Sequence, residues 1–393
     1  MLNLRNYKKK KEKNEFHSKL IKHRLVVIYR TILVLVTIVI VGLVIYLNYE
    51  NKIYSGYDVI SSVERQDSDT AIYLNYSNNI LKYSQDGAEA FDSSNKVLWN
   101  ETYEMQDPAV KTCGEYVAIG DYKGNRILVI NNLGKQGTIE TKMPVSNFCI
   151  SSQGVVAAVL EDDEITRIQM YSKTGEELVN VKCTMTQSGY PIDISLSDDG
   201  CKLAVSYMRI QNGELRSSVA FYNFDDVGQN EIDRYVSGYD YLDTVIPKVK
   251  FINNSTAFCV GDNRFVIFKG NQKPMSEFET SIDEEVKSVF YSEKNIGLVY
   301  RISDGNNKYR IDVYNEDGEL SLKQEFNMEY TDIILKNDFV IIYNDTKCII
   351  FNKNGVKKYE GEFTDSTLLV VPTDSKTKYI LINREESQTI RLH

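Results

Sequence analysis

The chain is poor in the side chains that most enzymes use. Only three of its 393 residues are His, and they stand near the ends at His17, His23 and His393. A serine–histidine triad, a histidine metal trio or a histidine general base cannot be assembled from them in the long middle of the chain. There is one Trp, Trp99, read as a packing anchor rather than a stacking platform. The six Cys (113, 149, 183, 201, 259 and 348) form no Cys-x-x-Cys, which removes zinc-ribbon and thioredoxin-type sites. Several sit among apolar residues, as in Phe148-Cys149-Ile150, and are read as buried free thiols, with one or two disulfides as the alternative. Neither a Gly-rich phosphate loop nor a nucleophile elbow occurs, and helical periodicity is scarce after residue 50.

Charge is abundant but unevenly placed. Residues 1–24 hold nine Lys/Arg against two Glu, whereas the whole chain carries -9, which leaves -16 on the remainder. Residues 25–47 then run apolar with a single charge, Arg30. At about 1.5 Å per residue such a helix spans about 35 Å, enough for a hydrocarbon core of about 30 Å. Asn48 to Tyr54 is too bulky for a small-x-small cleavage site, so an uncleaved signal anchor is expected. The organisation that follows is a basic cytoplasmic tail (1–24), a single-pass transmembrane anchor (25–47), a linker (48–56) and an extracytoplasmic domain (57–393). The basic tail beside a span reads as a topology signal touching anionic lipid, not as a nucleic-acid site.

The extracytoplasmic part repeats one short phrase: Phe91-Asp-Ser-Ser-Asn95, Ile130-Asn-Asn-Leu-Gly134, Tyr171-Ser-Lys-Thr-Gly175, Tyr314-Asn-Glu-Asp-Gly318 and Phe351-Asn-Lys-Asn-Gly355. Looser copies start at Tyr222 and Phe268, and the seven starts lie 39, 41, 51, 46, 46 and 37 residues apart. A hairpin turn recurring every 40–50 residues is the signature of a β-propeller with one four-stranded blade per repeat. Residues 366–392 supply strands a, b and c of a final blade, while residues 57–64 resemble an isolated strand d. The ring is therefore expected to have eight blades with three-plus-one strand closure; seven is the alternative. Closure removes two exposed strand edges. By strand direction the b–c and d–a loops share one end of the ring, and the c–d turns lie at the other, nearer the anchor.

The b–c and d–a loops are rich in carboxylates. They contain Asp121, Glu161-Asp162-Asp163-Glu164, Asp262, Asp283 and Asp304, while the opposite loops are richer in Lys. Asp also favours turns for purely local reasons. The functional reading is an acidic face that holds a basic partner or cationic polymer. No EF-hand or RTX spacing supports a metal there, and no cofactor is expected.

At the level of the blade, residues 57–393 resemble quinoprotein-like and WD40-like propellers, without WD40 Trp-Asp dipeptides or quinoprotein Trp-docking motifs. The phrases Asn79-Ile-Leu-Lys-Tyr-Ser-Gln-Asp-Gly87, Val97-Leu-Trp-Asn100, Tyr116-Val-Ala-Ile-Gly-Asp121 and Gln153-Gly-Val-Val-Ala-Ala-Val-Leu-Glu-Asp162 look like an uncharacterised family of membrane-anchored propellers from Gram-positive anaerobic bacteria. The resemblance implies topology and source, not activity. A non-enzymatic binding or scaffolding module at the cell envelope, engaging a protein or cell-wall polymer, is the leading expectation. The alternatives are a carboxylate-based glycan hydrolase, a quinoprotein-like oxidoreductase and a sensor ectodomain.

Overall fold

The computed structural model describes residues 22–45, 51–65, 70–77, 79–162, 165–183, 188–302, 307–336 and 338–393, without the side chains of 181–183. Asp163, Glu164 and Asp304 lie outside the described residues, as does most of the basic tail. The chain divides into two units, residues 1–53 and 54–393. In the first, a single helix runs over Lys22–Ile45, 24 residues long and exposed throughout. It is long and apolar enough to cross a membrane. It begins three residues before the expected span.

In the second unit the described residues form eight four-stranded antiparallel sheets. Each is one blade, and strands are named here by blade and by letter from the centre outward. The last blade joins Thr367–Pro372 (8a), Lys378–Asn383 (8b) and Glu386–Leu392 (8c) to Tyr57–Glu64 (8d), the expected three-plus-one closure. The ladder runs from Tyr57 opposite Leu392 to Glu64 opposite Glu386. Beyond it, the His393 N–H donates to the Gly56 carbonyl at 3.0 Å and the Ser55 N–H donates to the His393 carbonyl at 2.9 Å. Thr364 N–H, at the end of blade 7, donates to the Tyr57 hydroxyl at 3.0 Å.

The recurring phrase is the c–d turn, and its chemistry is visible atom by atom. Its second residue accepts backbone N–H groups within the turn: Asp92 Oδ1 from Ser94 (2.8 Å) and Lys96 (3.0 Å), and Asn315 Oδ1 from Asp317 and Glu319 (both 2.9 Å). Its fifth residue takes positive φ: Asn95 64°, Gly134 100°, Gly175 95°, Gly318 81° and Gly355 77°. That conformation is cheap only for Gly and tolerable for Asn. In all seven copies the c–d ladder slips by one residue beside the phrase's apolar first residue, for example between Ala90 and Phe91 and between Ile350 and Phe351. A short turn ending in a left-handed residue next to a bulge twists strand d away from strand c.

The apolar runs of strands b and c follow from being covered on both faces. In strand 3b (Val156–Glu161), Val156, Ala158 and Leu160 pack with blade 2, whereas Ala157 and Val159 pack with blade 4. Alternation of side chains along a strand thus serves two cores at once. Among the described residues the core comprises eight apolar clusters, one at each interface between neighbouring blades, including that between blades 8 and 1. Trp99 is buried between blades 1 and 2, as its packing role requires.

One blade departs from the expected strand positions. The pattern of Ile232-Asp-Arg-Tyr-Val236 predicts strand 4d there. Instead Asp226–Gln229 forms one helical turn and Ile232–Arg234 a 3-10 turn, and 4d runs over Tyr235–Leu242. The cause is local: Asp233 and Arg234 both have positive φ (54° and 62°), which no strand accommodates. Strands 4b (Lys202–Gln211) and 4c (Glu214–Asn223) also form a hairpin longer than those of the other blades.

Candidate binding site

The carboxylates singled out in the sequence divide into those that build loops and those that face solvent. Asp121 Oδ1 accepts the N–H groups of Gln106 (3.1 Å) and Asp107 (2.8 Å), so it ties the b–c turn of blade 2 to the loop entering that blade. Asp262 does the same in blade 5, taking the Val245 N–H at 3.2 Å and the Thr244 hydroxyl at 2.5 Å. Glu161 Oε2 accepts the Tyr190 hydroxyl at 2.7 Å, linking blades 3 and 4, and burial together with this bond pushes the phenol up to about 12. Asp162 Oδ1 accepts the Ile165 N–H at 3.0 Å inside its own turn. Asp162 and Asp283 are exposed. The structure does not gather these groups into one pocket, and no group of three or more His, Cys, Asp or Glu that could hold a metal occurs among the described residues.

A second set of polar groups, not foreseen from the sequence, lines the central channel. It comes from the innermost strands of blades 3, 4 and 5: Val145–Ile150 (3a), Tyr190–Leu196 (4a) and Lys248–Phe251 (5a). Asp193 accepts Lys248 Nζ at 3.2 Å, the Val249 N–H at 3.0 Å and Asn147 Nδ2 at 3.5 Å. Two residues further along, Ser195 Oγ accepts the Phe251 N–H at 2.9 Å. Below this layer the Cys113 thiol donates to Asp198 Oδ1 at 3.4 Å, and Lys250 Nζ lies 5.4 Å from the centre of the Tyr291 ring. Burial pushes the Cys113 and Cys149 thiols up to about 12, and it raises the Asp198 carboxyl as well. Cys113, Cys149, Cys201, Cys259 and Cys348 are free, and three of them are buried. Thiols so protonated are poor nucleophiles.

The opposite arc of the channel is apolar. A cavity of about 640 Å³ is lined there by Ile72, Tyr73, Tyr291, Asp332, Ile334 and Leu368, among others. Asp332 opens onto this void, yet the surrounding walls desolvate it and raise its carboxyl, while the Ile333 N–H at 2.8 Å opposes the rise. Among the described residues it is the one carboxylate of that lining.

Another cavity, of about 810 Å³, lies off the axis between blades 3 and 4. Ligand pockets commonly occupy about 300–1,000 Å³. Its wall on blade 4 carries Tyr207, Tyr222, Tyr235 and Tyr239. The Tyr207 and Tyr222 hydroxyls lie 3.0 Å apart, and the Tyr222 and Tyr235 rings meet edge to face at 6.0 Å. Burial raises the Tyr235 phenol. Arg209 is held by Asp240 Oδ1 at 2.8 Å and Ser218 Oγ at 3.4 Å. The same Ile232–Arg234 turn that displaced strand 4d forms part of the cavity wall. Tyr and Arg are the residues that carry most binding energy at protein interfaces. The one sequence signal for this groove was the 51-residue spacing between the phrases at Tyr171 and Tyr222, the longest of the six.

The model of a Family of unknown function (DUF5711) matches residues 50–392. A search of curated proteins finds no match. Among solved structures the chain is similar to Sqt1 from Chaetomium thermophilum (11% identity, TM-score 0.54, covering 86% of this chain and all of that one). It is also similar to a eukaryotic initiation factor (12%, TM-score 0.52, covering 85% and 87%). BamB from Moraxella catarrhalis aligns at 10% identity and a TM-score of 0.49, over 86% of this chain and all of that one. At these identities the likeness concerns the propeller fold alone.

Proposed function

We propose that this chain, which belongs to the Family of unknown function (DUF5711), is a non-enzymatic binding or scaffolding module of the bacterial cell envelope. Its helix over Lys22–Ile45 serves as a single-pass anchor, with the basic tail in the cytoplasm and the propeller outside it. The partner is a protein or a cell-wall polymer. The observation that carries this reading is the groove between blades 3 and 4. It is large and aromatic, with Arg209 paired to Asp240 and Arg234 and Asp233 on the same lining. A large aromatic lining with a few placed polar groups suits recognition. A second reading, docking through the acidic loops, draws on the exposure of Asp162 and Asp283 at the same end of the ring.

The test is site-specific photocrosslinking of the full chain in its native membrane. A photoreactive residue is placed at Tyr235 in the groove, and separately at Asp162 and Asp283. The expected result is one recurrent adduct from position 235, whose captured species then binds the purified full chain. Adducts from 162 and 283 alone transfer the working surface to the acidic loops. Silence at all three positions removes the binding role.

A further inference from the structure

The groove between blades 3 and 4 also indicates what kind of partner it takes; this step rests on the groove being the binding surface. A second cavity of about 380 Å³ adjoins it, lined by Leu178, Met170, Cys201 and Phe224. Val179 and Arg234 line both cavities, so together they form one trough with Arg234 on the partition.

One side of the trough is strand 3d (Glu177–Cys183), the outermost strand of blade 3, which among the described residues pairs only with 3c. Val179 and Asn180 both line the larger cavity. Successive side chains point to opposite faces of a strand, so a void that touches both meets the strand at its edge. That edge has unpaired backbone groups, the usual receptor for an added extended segment. Exposed apolar side chains flank it: Leu178 is 50% exposed and Ile232 87%.

Arg234 supplies the charge. Among the described residues its guanidinium meets one acceptor, the Phe224 carbonyl oxygen at a long 3.5 Å, and stacks 5.8 Å from the Phe224 ring. Arg209 across the trough is already neutralised by Asp240. A guanidinium has five donors in a fixed fork suited to a carboxylate. Arg234 is held at positive φ, a strained placement that commonly marks a working position. We infer that the trough binds an extended peptide segment of a partner protein, with an Asp or Glu side chain on Arg234 and a neighbouring apolar or aromatic side chain against Tyr235.

The experiment is selection of random heptapeptides displayed on phage against the full chain in lipid nanodiscs. Affinities of the enriched synthetic peptides are then measured by fluorescence anisotropy. Enriched peptides are expected to carry an Asp or Glu beside an apolar residue. Arg234→Gln should weaken such a peptide by about tenfold or more, the scale of one charge-assisted hydrogen bond. The same substitution should leave its Gln- or Asn-bearing analogue unchanged. Matching urea midpoints for the Arg234→Gln and parent proteins show that the loss is not unfolding. Peptides that lose affinity in Tyr235→Ala but not in Arg234→Gln overturn the carboxylate assignment and leave the groove as the binding surface. Peptides indifferent to both substitutions, or no enrichment, overturn the groove reading as well.

Discussion

Lys248 reaches from strand 5a to the Asp193 carboxylate of strand 4a, Nζ to Oδ2 at 3.2 Å, on the wall of the central channel. The same oxygen accepts the Val249 N–H at 3.0 Å. One carboxylate thus satisfies both a side chain and a backbone donor of the next blade, where the innermost strands have no ladder partner toward the axis.

Replacing Asp193 should therefore loosen the ring where blade 4 meets its neighbours. Asp193→Ala leaves the Val249 N–H without its acceptor and is expected to cost about 1–3 kcal/mol. Asp193→Asn retains an acceptor and should cost less. Equilibrium urea unfolding of both variants checks the order. Equal stability of the Ala variant and the parent would show that channel water replaces the carboxylate.

The closing strand should matter more than any single side chain. Deleting residues 57–64 removes strand 8d and exposes the edge of 8c. Exposed edges recruit other chains. The expected outcome is self-association on size exclusion with light scattering, and loss of hydrogen-exchange protection over Glu386–Leu392. A monomeric, fully protected deletion variant would argue against closure by this strand.

The repeated turns permit a controlled comparison. Gly134 and Gly175 have nearly the same φ, 100° and 95°, but different surroundings. A Cβ at Gly134 would meet nothing within 4 Å, whereas one at Gly175 would run into the Thr138 carbonyl oxygen. Gly134→Ala should cost only the backbone strain, about 1–2 kcal/mol. Gly175→Ala should cost visibly more in the same urea titration. Equal losses would mean that the blade shifts freely to admit a methyl group.

How far the sequence could be read follows from which interactions are local. The turn phrase was legible because Asn315 or Asp92 caps its own turn and the Gly or Asn four residues into the phrase sets its own φ. Blade number and closure followed from the three strands after the last turn, in residues 366–392, and the isolated strand at 57–64. The groove was not legible, because Ile232-Asp-Arg-Tyr235 has the pattern of a strand and only its positive φ values make it a wall. The acidic loops were legible as positions but not as roles. Asp121 and Asp162 are the same residue type, yet one ties two loops together while the other caps its own turn at the surface.

Two desolvated thiols, Cys113 and Cys149, set a pH dependence whose sign can be worked out. Cys113 and Cys149 are pushed by burial from an ordinary value of 9.0 to about 12. Between those values the unfolded chain has lost protons that the folded chain still holds. Stability contributed by the protonated thiols is thus complete below pH 9 and is lost as pH rises toward 12. Each fully titrating thiol can remove up to about 1.4 kcal/mol per pH unit in that window. Raised tyrosines add to the fall above pH 10, so the parent curve alone does not isolate the thiols. Cys149→Ala should make the decline between pH 9 and 10 shallower, and Cys113→Ala should act likewise. In the same window iodoacetamide should modify neither thiol in the folded protein but both in urea. Urea midpoints at pH 8, 9 and 10 for parent and variants provide the measurement. Parallel slopes in all three proteins would mean that the thiols titrate alike in the folded and unfolded chain.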